Sequence, residues 1–317
     1  MGQIGDFMKE KMLFVFNPYS GKGQIKNKLM DIINIFTRAG YEITIYPTQR
    51  ALDAYDRVCS ADGQYDCIVC SGGDGTLNEV IAAVSRHRMT RPRIGYIPAG
   101  STNDFAATLG IPKNMSKAAM AVTTGVPFSC DIGKFNDRYY NYVAAFGLFT
   151  EISYTTPQNV KNVLGHQAYL LEVLKSLTKI ETYYMEVQSK EKNVSGNFVY
   201  GMVANSESVG GFKGICGSNI SLNDGLFEVA LVREPRNVMD LQLISTGLFS
   251  KKDDNPMLER FKTDHLVIES SGPISWTLDG ENGDSHQRVE ISVIPKAVDI
   301  VIPQKTLKLN SKLLLGR

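Results

Sequence analysis

The chain has 317 residues, more than the roughly 250–300 at which a single hydrophobic core stops growing, so two domains are expected and a lone small module is excluded. Hydrophobic residues make up 43% and charged residues 21%, with 12 prolines, which excludes a disordered chain. Lys and Arg total 34 against 33 Asp and Glu, a net charge of +1 that lacks the basic field by which proteins hold nucleic acid, so nucleic acid is not an expected partner.

From Met12 to about Val122, short β-branched or aromatic runs alternate with longer amphipathic ones. Strands are predicted at Met12–Phe16, Glu42–Tyr46, Cys67–Cys70 and Arg93–Ile97. Helices are predicted near Gln24–Thr37, Leu52–Ala61, Thr76–Arg86, Asn103–Leu109 and Ser116–Thr123. Strands joined by crossover helices pair in parallel and are covered on both faces, which accounts for the unbroken apolar run Leu13-Phe14-Val15-Phe16. This half reads as a doubly wound α/β domain with a mostly parallel sheet.

After Gly125 the pattern becomes one of strands and hairpins: Cys130–Phe135, Tyr139–Phe146, Thr182–Gln188, Asn197–Ala204, Leu226–Val232, Asp264–Glu269, Ile274–Leu278, Arg288–Ile294 and Val298–Ile302. Only Gln167–Lys179 and Val238–Phe249 read as helices there. The expected organisation is a first domain of residues 1–125, rejoined by the tail 304–317, and a mostly antiparallel, β-rich, sandwich-like domain of residues 126–303.

No apolar run reaches the ~18 residues of a spanning helix, and the first residues lack a secretory signal pattern, so a cytoplasmic chain is expected. Five scattered cysteines argue against a disulfide framework. Cys67 and Cys70 form a CxxC inside an apolar run and read as buried strand residues. The four histidines have no metal spacing.

In open α/β sheets ligands bind beyond the carboxyl ends of the strands, so the residues following each strand carry the functional information. Three such loops combine Gly with hydroxyl and amide side chains: Asn17-Pro18-Tyr19-Ser20-Gly21-Lys22-Gly23, Ser71-Gly72-Gly73-Asp74-Gly75-Thr76, and Pro98-Ala99-Gly100-Ser101-Thr102-Asn103-Asp104. Each alone is ordinary turn and cap chemistry. Three in succession, opening helices whose N–H groups attract anions, read as a polyphosphate site. It is not a Walker A loop, because GxxxxGK[ST] does not occur.

The loops NPYSGKG, SGGDGTLNEV and IPAGSTNDFA resemble those of the diacylglycerol-kinase-type lipid kinases, relatives of sphingosine and ceramide kinases and, more distantly, of NAD kinases. The resemblance runs from Asn17 to Glu281. It implies ATP held between the two domains, with Mg²⁺, and a lipid hydroxyl as acceptor. By resemblance, the residues lining the nucleotide are Asn17, Pro18, Ser20, Gly21, Thr48, Gly72, Gly73, Asp74, Gly75, Thr76, Asn78, Glu79, Thr102 and Asn103. Asp74 is the first-domain carboxylate placed to reach catalytic Mg²⁺ or to support the base.

Two further segments match the family. Leu278-Asp279-Gly280-Glu281 is similar to its catalytic motif, which implies Asp279 as general base with Glu281 and Asp74 as its catalytic companions; the residues alone read as a strand-ending turn. Asn223-Asp224-Gly225-Leu226 resembles an acidic turn that holds a structural magnesium, which implies Ser221, Asp224 and the Leu226 carbonyl as ligands; by themselves these residues read as a β-turn that needs no metal. Ala107 departs from the family, where Arg is common, and Ser101 replaces a common Thr.

The expected activity is transfer of the ATP γ-phosphoryl to diacylglycerol, giving phosphatidic acid. Phosphatidylglycerol, a sphingoid base or a polyprenol stand as alternative acceptors, with NAD phosphorylation or a non-catalytic ATP- or lipid-binding regulator behind them. A lipid acceptor implies peripheral association with the inner face of the membrane. Lys22, Lys26 and Lys28 offer either attraction to an anionic surface or a solvated helix face. The segment Gln158–Leu177 offers either a lipid slot or core packing. Relatives also raise a homodimer, which the sequence leaves open.

Overall fold

The protein is described from a computed structural model that covers residues 9–21, 23–86, 91–100, 103–147, 181–206, 208–209, 212–213, 220–248 and 254–309. It divides into two units, one formed by the chain up to Cys130 together with the stretch from Ala297, the other by Asp131–Lys296.

The first unit contains β1 (Lys11–Phe16), α1 (Ile25–Arg38), β2 (Glu42–Pro47), α2 (Asp53–Cys59), β3 (Cys67–Gly72), α3 (Asp74–Val84), β4 (Arg93–Pro98), α4 (Asp104–Thr108) and α5 (Met115–Thr124). Its sheet has the order β2-β1-β3-β4, all parallel, and β4 is joined on its other side by Asp299 and Ile300. The central strands β1, β3 and β4 are buried almost throughout. That burial follows from helices packing in pairs, α1 with α5 and α2 with α3. α1 turns Ile25, Ile32 and Phe36 inward, the spacing of one helical stripe. Asn114 caps α5 by accepting the Lys117 N–H. Gly95 lets α5 lie close to β4, since a Cβ there would come within 2.8 Å of Val122.

The second unit follows from β5 (Val126–Phe135), which starts in the first. It holds β6 (Arg138–Tyr140), β7 (Val143–Gly147), β8 (Tyr183–Ser189), β9 (Asn193–Ala204), β10 (Ser208–Val209), β11 (Phe212–Lys213), β12 (Phe227–Arg233), α6 (Val238–Gly247), β13 (Leu258–Thr263) and β14 (His265–Leu278). β15 (Glu281–Ile302) begins here and ends in the first unit, where α7 (Gln304–Leu309) follows. Pairing is antiparallel in the order β13-β12-β9-β7-β14-β15, with β8 against β14 and β9 and β5 against β6. The core gathers Phe135, Phe146, Phe198, Phe227 and Trp276, with the Trp276 ring edge-on to Phe135 and Phe146.

The fold class read from the sequence is the one observed, with corrections to its elements. Ser71 and Gly72, read as loop, are the last residues of β3, because the ladder to β4 continues to Gly72 opposite Pro98. Tyr139–Phe146, read as one strand, is broken into β6 and β7. Its N–H groups at Asn141, Tyr142 and Val143 leave the ladder for the carboxylate of Asp279. Conversely, the expected strands Asp264–Glu269 and Ile274–Leu278 merge into one, His265–Leu278, whose register shifts absorb the polar interruption between them. Arg288–Ile294 and Val298–Ile302 likewise lie in a single strand. β13 had no apolar alternation strong enough to announce it. The expected helix Gln167–Lys179 and the segment Gln158–Leu177 lie outside the described residues.

Candidate active site

The order β2-β1-β3-β4 reverses direction between β1 and β3, and a ligand crevice forms where connections leave neighbouring strands in opposite directions. The loop after β1 and the start of α3 after β3 meet at this point. The Asn17 N–H donates to the Ser71 carbonyl at 2.9 Å, and the Ala99 N–H donates to the Gly72 carbonyl at 2.8 Å. The three glycine loops are therefore tied together through the main chain at the carboxyl ends of β1, β3 and β4.

Glycine is required there by space. A Cβ on Gly21, whose φ is +58°, would lie 2.2 Å from the Ala99 carbonyl oxygen; one on Gly72 would lie 2.3 Å from the Thr76 hydroxyl; one on Gly100 would lie 2.7 Å from the Gly73 Cα. Gly73 precedes α3, and Asp74, Gly75 and Thr76 form its first turn, with Thr76 buried. Backbone N–H groups at such a helix start suit phosphate oxygens, and glycine leaves the main chain open to close approach. A carboxylate beside phosphates suits Mg²⁺, which takes one or two carboxylates with the remainder of its shell from phosphates and water. Asp74 is such a group, so the donor set here fits the metal.

Asn103 holds the third loop. Its φ is +53°, a value Asn tolerates, and its side chain closes a ring on Gly100: Oδ1 accepts the Gly100 N–H at 3.0 Å and Nδ2 donates to the Gly100 carbonyl at 2.7 Å. The hydroxyl of Tyr96 lies 3.2 Å from both Asn103 Oδ1 and the Gly72 carbonyl. Burial first, then the charge of Asp74, push the Tyr96 phenol well up, so it acts as a neutral donor joining two loops. Nothing in the strand sequence singled Tyr96 out.

The other predicted nucleotide residues fall into place differently. Asn17 Oδ1 accepts the Tyr19 N–H at 2.9 Å, the Ser20 N–H donates to the Asn17 carbonyl at 3.3 Å, and these bonds shape the first loop around Pro18. Thr48 is buried after β2, its N–H on the Phe16 carbonyl. Asn78 is half-buried on α3. Glu79 is turned to α2, accepting the N–H groups of Leu52 at 3.0 Å and Ala54 at 3.1 Å, the capping that a helix start needs. Burial raises the Glu79 carboxyl against those bonds. Lys22, Ser101 and Thr102 lie outside the described residues. Lys28 pairs with Asp31 at 3.2 Å on an exposed helix face, and the Lys26 ammonium lies 5.5 Å from the centre of the Tyr19 ring.

In the second unit, Asp279 and Gly280 form the two-residue turn between β14 and β15. Their φ values of +52° and +86° are those that an Asp-Gly hairpin of type I′ demands. The Asp279 side chain is buried. Oδ2 accepts the Asn141 N–H at 2.6 Å, and Oδ1 accepts those of Tyr142 at 2.9 Å and Val143 at 3.0 Å, while the Asp279 N–H donates to the Val143 carbonyl at 2.8 Å. Hydrogen bonds to an ionised acceptor are about twice as strong as neutral ones. Burial first and Asp279 second push the phenol of neighbouring Tyr140 far up. Glu281, the first residue of β15, is exposed.

The turn Ser221–Leu226 is pinned by Asp131, a fully buried residue that the sequence reading passed over. Asp131 Oδ2 accepts the Gly225 N–H at 2.7 Å and Oδ1 accepts the Lys296 N–H at 2.6 Å. Burial raises its carboxyl against these two bonds. Asp224 Oδ1 accepts the Leu226 N–H at 3.2 Å, and its Oδ2 lies 3.5 Å from the Lys262 ammonium. The hydroxyl of Ser221 faces Asn223 Oδ1 at 3.3 Å. A hard dication takes oxygen ligands, and here the one carboxylate of the set already faces the Lys262 ammonium, so this donor set fits poorly the structural magnesium that resemblance implied. Among the described residues, no group of three or more His, Cys, Asp and Glu converges as a metal site. No helix among them is long and apolar enough to cross a membrane.

Comparison with known proteins agrees with this architecture. The family "Diacylglycerol kinase catalytic domain" matches residues 11–135, and "YegS C-terminal NAD kinase beta sandwich-like domain" matches residues 150–302. A diacylglycerol kinase of Bacillus subtilis is 32% identical over 271 residues, 85% of this chain and 89% of that one. A diacylglycerol kinase of Staphylococcus epidermidis is 30% identical over 281 residues, 87% of each chain. A crystal structure of a diacylglycerol kinase from Bacillus anthracis has the same fold at a TM-score of 0.74, with 23% identity over 94% of this chain and 99% of that one. With these relatives matched along most of their length, the chain belongs to the diacylglycerol kinase family of lipid kinases, phosphotransferases with an alcohol group as acceptor.

Proposed function

We propose that the protein transfers the γ-phosphoryl group of ATP to the hydroxyl of diacylglycerol, giving phosphatidic acid, at the inner face of a membrane to which it binds peripherally. The observation that carries this reading is the junction of three glycine loops at the reversal of strand order, where side chains are excluded and helix α3 begins. In this reading the main chain at Gly21, Gly72, Gly73, Gly75 and Gly100, with Asn17, Thr76 and Asn103, binds the nucleotide. Asp74 would hold Mg²⁺, which neutralises charge on the β- and γ-phosphate oxygens when bound. Asp279, fixed by its three N–H donors, takes the proton of the acceptor hydroxyl as that oxygen bonds to the γ-phosphorus and the bond to ADP breaks. Glu79 acts at a distance, holding α2 against α3.

The test is transfer of label from γ-labelled ATP in mixed micelles of diacylglycerol, beside phosphatidylglycerol, sphingosine, a polyprenol and NAD. Label in phosphatidic acid is expected; label in another acceptor alone would replace the substrate, and none in any would leave a binding protein. A second expected result concerns Tyr96. Tyr96→Phe removes the hydroxyl that joins the second and third loops, at a cost of about 1 kcal/mol. The KM for ATP should then rise several-fold with kcat little changed, and an unaltered KM would show that this link does not shape the nucleotide loops.

A further inference from the structure

We infer that the cation of the Ser221–Leu226 turn is the ammonium of Lys262, so that this part of the second unit holds its shape without a divalent metal. The placement comes from the sheet. β12 and β13 are antiparallel with Glu228 directly opposite Lys262, so the two side chains leave neighbouring strands as a cross-strand pair. Glu228 is 3% exposed. A carboxylate buried to that degree needs a positive partner, and Lys262 supplies it at 2.8 Å. The same ammonium lies 3.5 Å from Asp224 Oδ2, so it bridges the buried carboxylate to the one on the turn.

Among the described residues Glu228 Oε2 has no hydrogen-bond partner, whereas the carboxylates of Asp131 and Asp224 are served by the main chain. Asp224 Oδ1 takes the Leu226 N–H, and the two oxygens of Asp131 take the N–H groups of Gly225 and Lys296. Each of the carboxylates at Asp131, Asp224 and Glu228 therefore has a donor or an ammonium from this chain. A dication on Asp224 would sit beside the Lys262 charge and be repelled by it. Lys262 is two-thirds buried and held between two carboxylates, Glu228 at 2.8 Å and Asp224 at 3.5 Å. A lysine facing two carboxylates thus occupies the electrostatic position for which the resemblance implied a metal.

The test uses the full chain and measures no turnover, so its outcome is separate from that of the kinase proposal. Metal content is read by elemental analysis after gel filtration in metal-free buffer, and thermal melting is followed with and without EDTA. Substoichiometric magnesium and a melting temperature unmoved by EDTA are expected. Stoichiometric magnesium, or a clear fall in melting with EDTA, would overturn the inference from the native chain alone. Lys262→Met should lower the melting temperature by roughly 5 °C by leaving Glu228 buried without its partner. Glu228→Gln combined with Lys262→Met should recover more than half of that loss. Native-like melting of Lys262→Met, or no recovery in the double variant, would also count against it.

Discussion

Asp279→Asn is expected to lower the rate of phosphoryl transfer by roughly 10²–10⁴-fold, the contribution of a positioned proton acceptor, while ATP binding stays near normal. The geometry adds a second effect that must be separated from the first. The carboxylate accepts three backbone N–H groups, two at Oδ1 and one at Oδ2. An amide offers one oxygen and one NH₂, so whichever way it turns a donor faces a donor. With its oxygen toward Tyr142 and Val143 it leaves the Asn141 N–H unmatched, a loss of about 1–3 kcal/mol at a buried site. Melting should fall accordingly, yet the folded fraction at 25 °C changes far less than turnover. Assays must therefore be normalised to folded protein by circular dichroism. Unchanged turnover would remove Asp279 from the chemistry and leave it as the clamp of the β6–β7 corner. Glu281→Gln, at an exposed position, should have the smaller effect.

The clamp also shows where sequence reading stopped. The turn at Asp279-Gly280 was legible, because Asp-Gly between strand-like runs is strong hairpin chemistry. Its partners were not, because Asn141, Tyr142 and Val143 contribute main-chain N–H groups, which every residue but proline carries. Residues 139–146 consequently read as one strand. The glycine loops were legible as three clusters after three strands, but their convergence rests on contacts such as Gly21 with Ala99 and Gly100 with Gly73, which no spacing encodes. Glu79 follows the GGDGT segment, and the resemblance implies a place for it among the nucleotide residues. Helical geometry places it five residues beyond Asp74, on the side that meets the N-terminus of α2. The Glu228–Lys262 pair depends on the register of β12 against β13, and β13 itself was unforeseen.

The packing of the glycine loops yields the other large effect. Gly100→Ala should raise the KM for ATP about tenfold or more, because the added Cβ would fall 2.7 Å from the Gly73 Cα and 2.9 Å from Asn103 Oδ1. Neither neighbour can yield cheaply. Gly73 is main chain at the start of α3, and Asn103 is held by two bonds to Gly100 itself and by Tyr96. Relief requires the second and third loops to separate, which misplaces the N–H groups assigned here to the phosphates and costs about 1–3 kcal/mol of stability. The nucleotide touches these loops in both ground and transition states, so the loss should appear in KM more than in kcat. Gly272→Ala is the matched control: its Cβ would meet nothing within 4 Å, its φ lies outside the left-handed range, and it should leave melting and both kinetic constants unchanged. Native KM in Gly100→Ala, with the variant folded, would mean that ATP does not bind across the contact of these two loops.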